Sequence, residues 1–425
     1  MPNNIPRRSF LAALSGMPLA AATSSLGTSS SATSSAPVSQ SPADKRKKIA
    51  ALSTTYHVRS HSDNFITRFL EGYWINDQYH EPPCDIVSLF VEQEHSGDIS
   101  RRLSKAYGFP IVSTIQDALT LGGGDLAVDG VLLIGEHGEY PTNVKNQKLY
   151  PRHRFMEQAV DVFRRSGRSV PLFNDKQLSY DWAKSKQMYD WSRELDFPFM
   201  AGSSVSVTFR RPELDFPLET DLEEGLAVGG GWVADGGLFH ILETLQCFAE
   251  RRRGGETGVR AVQLLTGDGV WKAAEEGRWN RHLLDAALAR GERVRPGRPE
   301  EIVKRPVACL IEYNDGFRGT ALGLGGLVSE YLAAVKIKAR AQPAATLCYI
   351  PTANSNNFSP LVDAIGRMFV TGKTDYPVER TLLTSGALSF LMDSWYQGQK
   401  RLETPMLNIR YRGPEKSYFA LGMGS

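Results

Sequence analysis

From residue 49 onward, short apolar runs alternate with amphipathic stretches, and that alternation restricts the fold more than any other feature of the chain. Ile49–Ser53, Asp85–Val91, Pro110–Ser113, Asp129–Gly135, Ser169–Phe173 and Phe197–Ala201 read as strands. Asn64–Tyr73, Ile99–Tyr107, Thr114–Leu121, Arg154–Arg165 and Tyr180–Leu195 read as the helices between them. Strand and helix in regular succession build a parallel sheet with helices on both faces. Uninterrupted apolar runs such as Val131-Leu132-Leu133-Ile134 suit strands covered on both sides. Ligands of such sheets bind outside the carboxyl ends of the strands, so the residues after each strand are the candidates for chemistry.

The first strand runs into Ser53-Thr54-Thr55-Tyr56-His57-Val58-Arg59-Ser60-His61-Ser62. This loop has no glycine to bring backbone against a pyrophosphate. Its anion-binding candidates are the hydroxyls of Thr54 and Thr55, with Arg59 at the start of the next helix; a polar surface loop is the alternative. Glu92 ends the second strand, where an acid binds adenosine ribose hydroxyls and disfavours a 2′-phosphate; a solvated acid is the alternative. The fourth strand runs into Gly135-Glu136-His137-Gly138-Glu139-Tyr140-Pro141, where Glu136, His137 and Glu139 read as a pocket wall. Their spacing, with no further ligand run, does not make a metal site. The fifth strand runs into Asp175-Lys176-Gln177, and Lys176 is either an ion-pair partner or a group facing the substrate.

The N-terminus belongs to a different category. Arg7-Arg8-Ser9-Phe10-Leu11 heads an apolar run ending in Ala20-Ala21-Ala22. A charged start, a short apolar centre and a small-residue end over residues 1–22 form an export signal, too short for a permanent membrane anchor. The arginine pair resembles a twin-arginine signal, which implies a periplasmic or otherwise exported protein carried across already folded. Residues 23–44, mostly Ser, Thr, Ala and Pro, read as a flexible linker. The 49 Lys+Arg balance 47 Asp+Glu, which argues against a nucleic-acid partner. Four scattered cysteines read as buried free thiols rather than a disulfide or zinc framework. Arg251-Arg252-Arg253 reads as a solvated helix end.

With the second half of the chain added, these residues resemble the Gfo/Idh/MocA oxidoreductases, the family of glucose–fructose oxidoreductase and inositol dehydrogenase. Asp175-Lys176-Gln177 stands where that family has Glu-Lys-Pro, with the proline lost. Gly229–Glu243, GGGWVADGGLFHILE, is similar to the family's glycine cluster followed by Asp, His and an acid. His240 takes the His position, Glu243 the acid after it, and Asp235 precedes His240 by five residues where the family has four. Phe358–Ile365, Thr371-Gly372-Lys373 and Thr381–Tyr396 resemble the family's closing helices. The resemblance covers nearly all of the chain after residue 45. It implies an α/β fold class: a Rossmann-like nucleotide-binding domain over 45–203, then an α+β domain over 204–425 with an open, mostly antiparallel sheet. Val205–Arg210, Val259–Thr266, Val307–Tyr313, Arg318–Gly323 and Thr346–Ile350 are the candidate strands of that sheet.

The resemblance also implies a reaction. NAD (or NADP), tightly bound, would lie against Thr54, Thr55, Arg59, Glu92, Glu136, His137 and Lys176. A sugar or polyol would give up a hydride to it. His240 would serve as the base, because its ordinary pKa lies near neutrality. Lys176 would stabilise charge developing on oxygen, and Asp235 would orient the imidazole. A homo-oligomer through the second sheet is expected. Two alternatives stand beside this reading: a nicotinamide-dependent glycoside-cleaving enzyme, and a cofactor-free sugar-binding descendant suggested by the missing glycines. Trp232, Tyr140, Tyr180 and Trp182 read as pocket lining or as core.

Overall fold

The computed structural model describes residues 46–351 and 355–422. The expected export signal and linker, over residues 1–44, lie outside the described residues. Six of the sequence-predicted runs form one sheet: β1 (Lys47–Ser53), β2 (Cys84–Val91), β3 (Ile111–Val112), β4 (Gly130–Ile134), β5 (Leu172–Asp175) and β6 (Phe199–Gly202). Their order across the sheet is β3-β2-β1-β4-β5-β6, with every pair parallel. This is the doubly wound arrangement, in which strand order reverses beside β1. Successive side chains go to opposite faces. Ile49, Ala51, Leu132 and Ile134 enter one core, and Ala50, Leu52, Val131 and Leu133 enter the other.

Four of the five predicted helices match their stretches: α1 (Ser100–Tyr107), α2 (Ile115–Thr120), α3 (Arg152–Ser166) and α4 (Trp182–Glu194). Asn64–Tyr73 is instead a π-helical turn, Asp63–Thr67, running into the four-residue helix Arg68–Glu71, with Tyr73 starting a short hairpin strand. Thr114 caps α2 by accepting from the Asp117 amide, and Asp181 caps α4 by accepting from the Lys184 amide.

The second sheet has eight strands: β7 (Phe209–Arg211), β8 (Leu222–Gly229), β9 (Val259–Thr266), β10 (Val307–Tyr313), β11 (Arg318–Gly323), β12 (Tyr331–Ile337), β13 (Ala344–Tyr349) and β14 (Leu402–Glu403). The order is β14-β9-β10-β11-β8-β12-β13-β7. All pairs are antiparallel except β8 with β11. The run Val205–Arg210 is not one strand: Ser204–Ser206 forms a helical turn, and β7 begins only at Phe209. The central strands β8 and β12 escape a reading by pattern. β8 begins Leu-Glu-Glu-Gly, and its partners lie about a hundred residues away in sequence.

Three helices tie the sheets together: α5 (Asp235–Ala249), α6 (Phe358–Thr371) and α7 (Val378–Tyr396). α5 packs on the second sheet through Leu238, Ile241, Leu242 and Leu245. α6 returns to the first sheet, where Leu361, Ile365 and Phe369 join the core of Ile49 and Leu132. α7 serves both sheets, with Val378 and Leu382 in the first core and Leu383, Leu388 and Leu391 in the second. Such shared packing fixes the carboxyl ends of β4–β6 against the start of α5.

The four cysteines are free and buried. Arg251 and Arg252 correct the expectation of a solvated helix end, since each is only 2% exposed. Arg252 bonds Glu256 and Asp315 and lies 4.6 Å over the Tyr313 ring, so its charge is neutralised inside the second core. No described helix is long and apolar enough to cross a membrane.

Candidate active site

Lys176 directly follows β5 with a positive φ of 66°, and its amide donates to the Gly202 carbonyl at 3.0 Å. That turn sends a side chain with 6% residual exposure toward the end of β4. Lys176 Nζ lies 3.1 Å from Glu136 Oε1, and the Arg152 guanidinium bonds the other carboxylate oxygen. Arg152 opens α3, is almost fully buried, and donates from Nε to the Asp175 carbonyl at 3.1 Å. It can pass only because residue 135 is glycine: a Cβ there would sit 2.5 Å from Arg152 Cγ. Burial alone would raise the Glu136 carboxyl, but Lys176, Arg152 and His61 outweigh it and hold the group well below the usual carboxylate range.

α5 starts beside this ion-pair cluster. A Cβ on Gly236 would come 3.6 Å from Lys176 Nζ. One turn along, His240 Nδ1 lies 2.9 Å from Ser203 Oγ. The Ser203 hydroxyl also bonds Glu243 Oε2, and the Ser203 amide donates to Glu243 Oε1 at 3.0 Å. Because the single hydroxyl hydrogen goes to the carboxylate, Ser203 Oγ accepts from His240 Nδ1–H. The imidazole Nε2 then carries the lone pair, and no described residue bonds it. Burial, reinforced by Lys176 and His61, holds His240 well below its ordinary pKa, so the ring is neutral. Burial pushes the Glu243 carboxyl up to about 7, with the two Ser203 hydrogen bonds opposing.

The structure thus brings Lys176, Glu136, Asp235 and His240 together, and corrects the role expected of Asp235. Asp235 is the first residue of α5, and its Oδ1 accepts from the Gly236 amide at 2.8 Å. Residues five apart on a helix do not share a face, and the bond to the imidazole comes from Ser203, just after β6. Burial raises the Asp235 carboxyl; Arg152 opposes that and Glu136 adds to it. Arg152 and Ser203 are the residues that sequence reasoning missed. Arg152 was hidden at the edge of an amphipathic helix, and Ser203 in a run of small residues.

The expected cofactor-binding residues lie in other company. The Thr54 hydroxyl donates to the Glu136 carbonyl at 2.7 Å, and Thr55 is buried. Arg59 is exposed, outside the Lys176 cluster, and its amide donates to the Asp63 carboxylate at 2.9 Å. Glu92 accepts from the Tyr140 hydroxyl at 2.5 Å and pairs with Arg154. His137 stands 5.1 Å from the His61 ring, and His61 Nδ1 is 2.6 Å from Asp175 Oδ2. His57 stacks on His95 at 4.0 Å and meets His137 edge-on at 5.9 Å, so four imidazoles gather beside the first loop. Burial and His61 lower His137 to about 4.

A nicotinamide dinucleotide makes two demands on these residues. Its reactive end needs polar groups that face a reacting carbon, and these are present. His137 Nε2, Asn174 Oδ1, Asp175 Oδ1, Gln177 Oε1 and Asp235 Oδ2 are buried without a hydrogen-bond partner among the described residues, on segments that follow β4, end or follow β5, or open α5. Buried polar atoms that lack a partner mark a place where a polar ligand belongs. The pyrophosphate end needs free backbone amides. Here the amides of His57 and Asp63 donate to Ser60 Oγ, that of Ser60 to the His57 carbonyl, and that of Arg59 to Asp63. The residues present fit the reactive end, whereas these four loop amides are engaged within the loop, and a pyrophosphate using them would displace those bonds.

No family model matches this chain, and no curated protein matches its sequence. Solved structures do. A Gfo/Idh/MocA family oxidoreductase from Vibrio cholerae is 12% identical, with 83% of this chain and 100% of that chain covered at a TM-score of 0.49. Myo-inositol dehydrogenase from Lactobacillus casei, in complex with NAD(H) and myo-inositol, is 10% identical over 88% and 100% of the two chains at 0.47. Biliverdin reductase from Synechocystis sp. PCC 6803, in complex with biliverdin and NADP+, is 12% identical over 82% and 99% at 0.46.

Proposed function

We propose that the chain is an exported oxidoreductase of the Gfo/Idh/MocA kind, removing a hydride from a carbinol carbon of a sugar or polyol with a tightly held nicotinamide cofactor. The observation that carries this reading is that Lys176, paired with Glu136 and beside Gly236 of α5, lies within electrostatic reach of His240 one turn along that helix. The cofactor supplies the hydride acceptor, which no side chain can. The residues in place to hold it are the Thr54–Tyr56 turn, His137 and Glu92, the last after release of Tyr140 or Arg154.

The chain's own groups do the proton work. The substrate hydroxyl donates to His240 Nε2, and the Lys176 ammonium bonds the same oxygen as negative charge develops on it. As Nε2 gains the proton, Nδ1–H is held by Ser203 Oγ, whose own hydrogen lies on Glu243. A carboxyl near 7 at the end of that chain can accept the relayed proton at neutral pH. Ser203 and Glu243 are therefore positioning and relay residues rather than groups that touch the substrate.

The self-bonded first loop favours a second reading, a polyol-binding protein without a cofactor. One experiment separates the two. Protein purified from the cytoplasm and from the export compartment is denatured, and the released nucleotide is identified by mass and quantified by absorbance. About one nicotinamide nucleotide per chain is expected, more NAD than NADP. No nucleotide in either pool, with no calorimetric binding of added cofactor, would leave only the second reading. In the loaded protein, Lys176→Ala and His240→Ala are each expected to lower turnover by roughly a hundredfold or more. The double variant should fall short of the product of the two losses.

A further inference from the structure

A cavity lies beside the start of α5, and nothing described so far uses it. It encloses about 610 Å³ and is lined by Trp232, Val233 and Ala234, by Trp395 of α7, by Lys304 and Arg305, and by Asn146. That volume lies within the range of about 300–1,000 Å³ usual for small-molecule sites. Trp232 is 57% exposed, an unusual state for the largest apolar side chain on a surface loop. The Arg305 guanidinium lies 5.1 Å over its ring. Lys304 Nζ donates only to the Glu301 carbonyl, at 3.2 Å. Neither Lys304 nor Arg305 has a carboxylate partner among the described residues, and no acid lines the cavity. Asn146 fixes the wall by bonding the Val233 carbonyl.

The chain passes from this wall into the reaction cluster within two residues. Ala234 lines the cavity, and Gly236 adjoins Lys176 Nζ. Their Cα atoms are at most about 8 Å apart, since each trans peptide spans about 3.8 Å. A ligand of two sugar rings is long enough to reach both places. A flat indole offers a surface for the apolar face of a pyranose. Two cations without a carboxylate partner among the described residues make a site for a negative group through charge-assisted hydrogen bonds.

Resting on the oxidoreductase reading for the site at Lys176, we infer that the Trp232–Arg305 cavity is a subsite for the second ring of an anionic disaccharide or glycoside, with Arg305 and Lys304 holding a carboxylate on that ring. The substrate class is then an acidic saccharide, oxidised on the ring beside His240.

The test measures calorimetric binding of three probes to the full-length purified protein: cellobiose, cellobiouronic acid and glucose 6-phosphate. The uronic acid should bind at least tenfold more tightly than cellobiose. Arg305→Ala should erase that preference, Trp232→Ala should weaken both disaccharides, and His240→Gln should leave the preference intact. Raising salt from 50 to 500 mM should narrow it, because the pair is solvent-exposed. Glucose 6-phosphate binding as tightly as the uronic acid would replace the two-ring ligand by a sugar phosphate and overturn the proposal. Equal affinity for the two disaccharides, an undiminished preference in Arg305→Ala, or no binding of any probe would also overturn it. The oxidoreductase reading is decided separately by nucleotide content and by turnover, so the two failures are distinguishable.

Discussion

Ser203 Oγ lies between His240 Nδ1, 2.9 Å away, and the Glu243 carboxylate, so one hydroxyl joins the sole partly exposed imidazole of α5 to a fully buried acid. Ser203 comes from the end of β6, whereas the other two residues sit one turn apart on α5. The contact therefore couples the two sheets as well as the three groups.

Ser203→Ala removes this link without altering volume much. Turnover should fall roughly tenfold to a hundredfold with little change in KM, the size of a positioning effect on a general base. The limb of the kcat–pH profile that reports Glu243, near 7 in the wild type, should disappear. Ser203→Thr, which keeps the hydroxyl, should restore much of both. A profile unchanged in Ser203→Ala would show that the imidazole works alone.

The acid also leaves a mark on stability. Glu243 is raised from about 4.5 to about 7 in the folded state, so folding is favoured when it is protonated. Its contribution is fully present below pH 4.5 and is lost as pH rises through 7, a change of roughly 3 kcal/mol. His137 acts with the opposite sign: lowered to about 4, it costs stability as pH falls from about 6.5. The wild-type curve sums the two, so the comparison must be with Glu243→Gln. Urea unfolding should show the variant gaining on the wild type between pH 5 and 8. A constant gap would refute the raised acid.

Gly202 has φ of 135°, and a Cβ there would lie 2.4 Å from Glu243 Oε1. Gly202→Ala combines backbone strain with displacement of a buried carboxylate, and should lower stability by about 2 kcal/mol or more. Gly122→Ala is the control: it also has positive φ, but a Cβ there meets nothing within 4 Å. Thermal unfolding of the two variants should separate the cost of the clash from that of strain alone.

Export is tested at Arg7 and Arg8. Replacement of both by Lys should strand the protein in the cytoplasm, read by fractionation and immunoblot. Undiminished export would remove the twin-arginine reading, and with it the route by which a cofactor is enclosed before transport.

What the sequence determined by itself is local and periodic. Each strand of the first sheet was legible because a strand buried on both faces needs a run like Val131–Ile134, and the four later crossover helices because their apolar faces repeat along a short stretch, whereas Asn64–Tyr73 breaks into a π-turn and a four-residue helix. Lys176 was legible because it directly follows a strand of a doubly wound sheet, where ligands bind, and His240 only through the resemblance of Gly229–Glu243 to a family motif. The tertiary structure alone decided which groups those residues meet. Ser203 and His240 are 37 residues apart, Lys176 and Glu136 40. β8 finds β11 and β12 only across the sheet. Side-chain periodicity reports which face of an element is buried, whereas a partner across such a separation is chosen by how whole sheets pack. For that reason Asp235, close to His240 in sequence, was the expected orienting group, and Ser203, brought to it by the packing of β6 against α5, is the actual one.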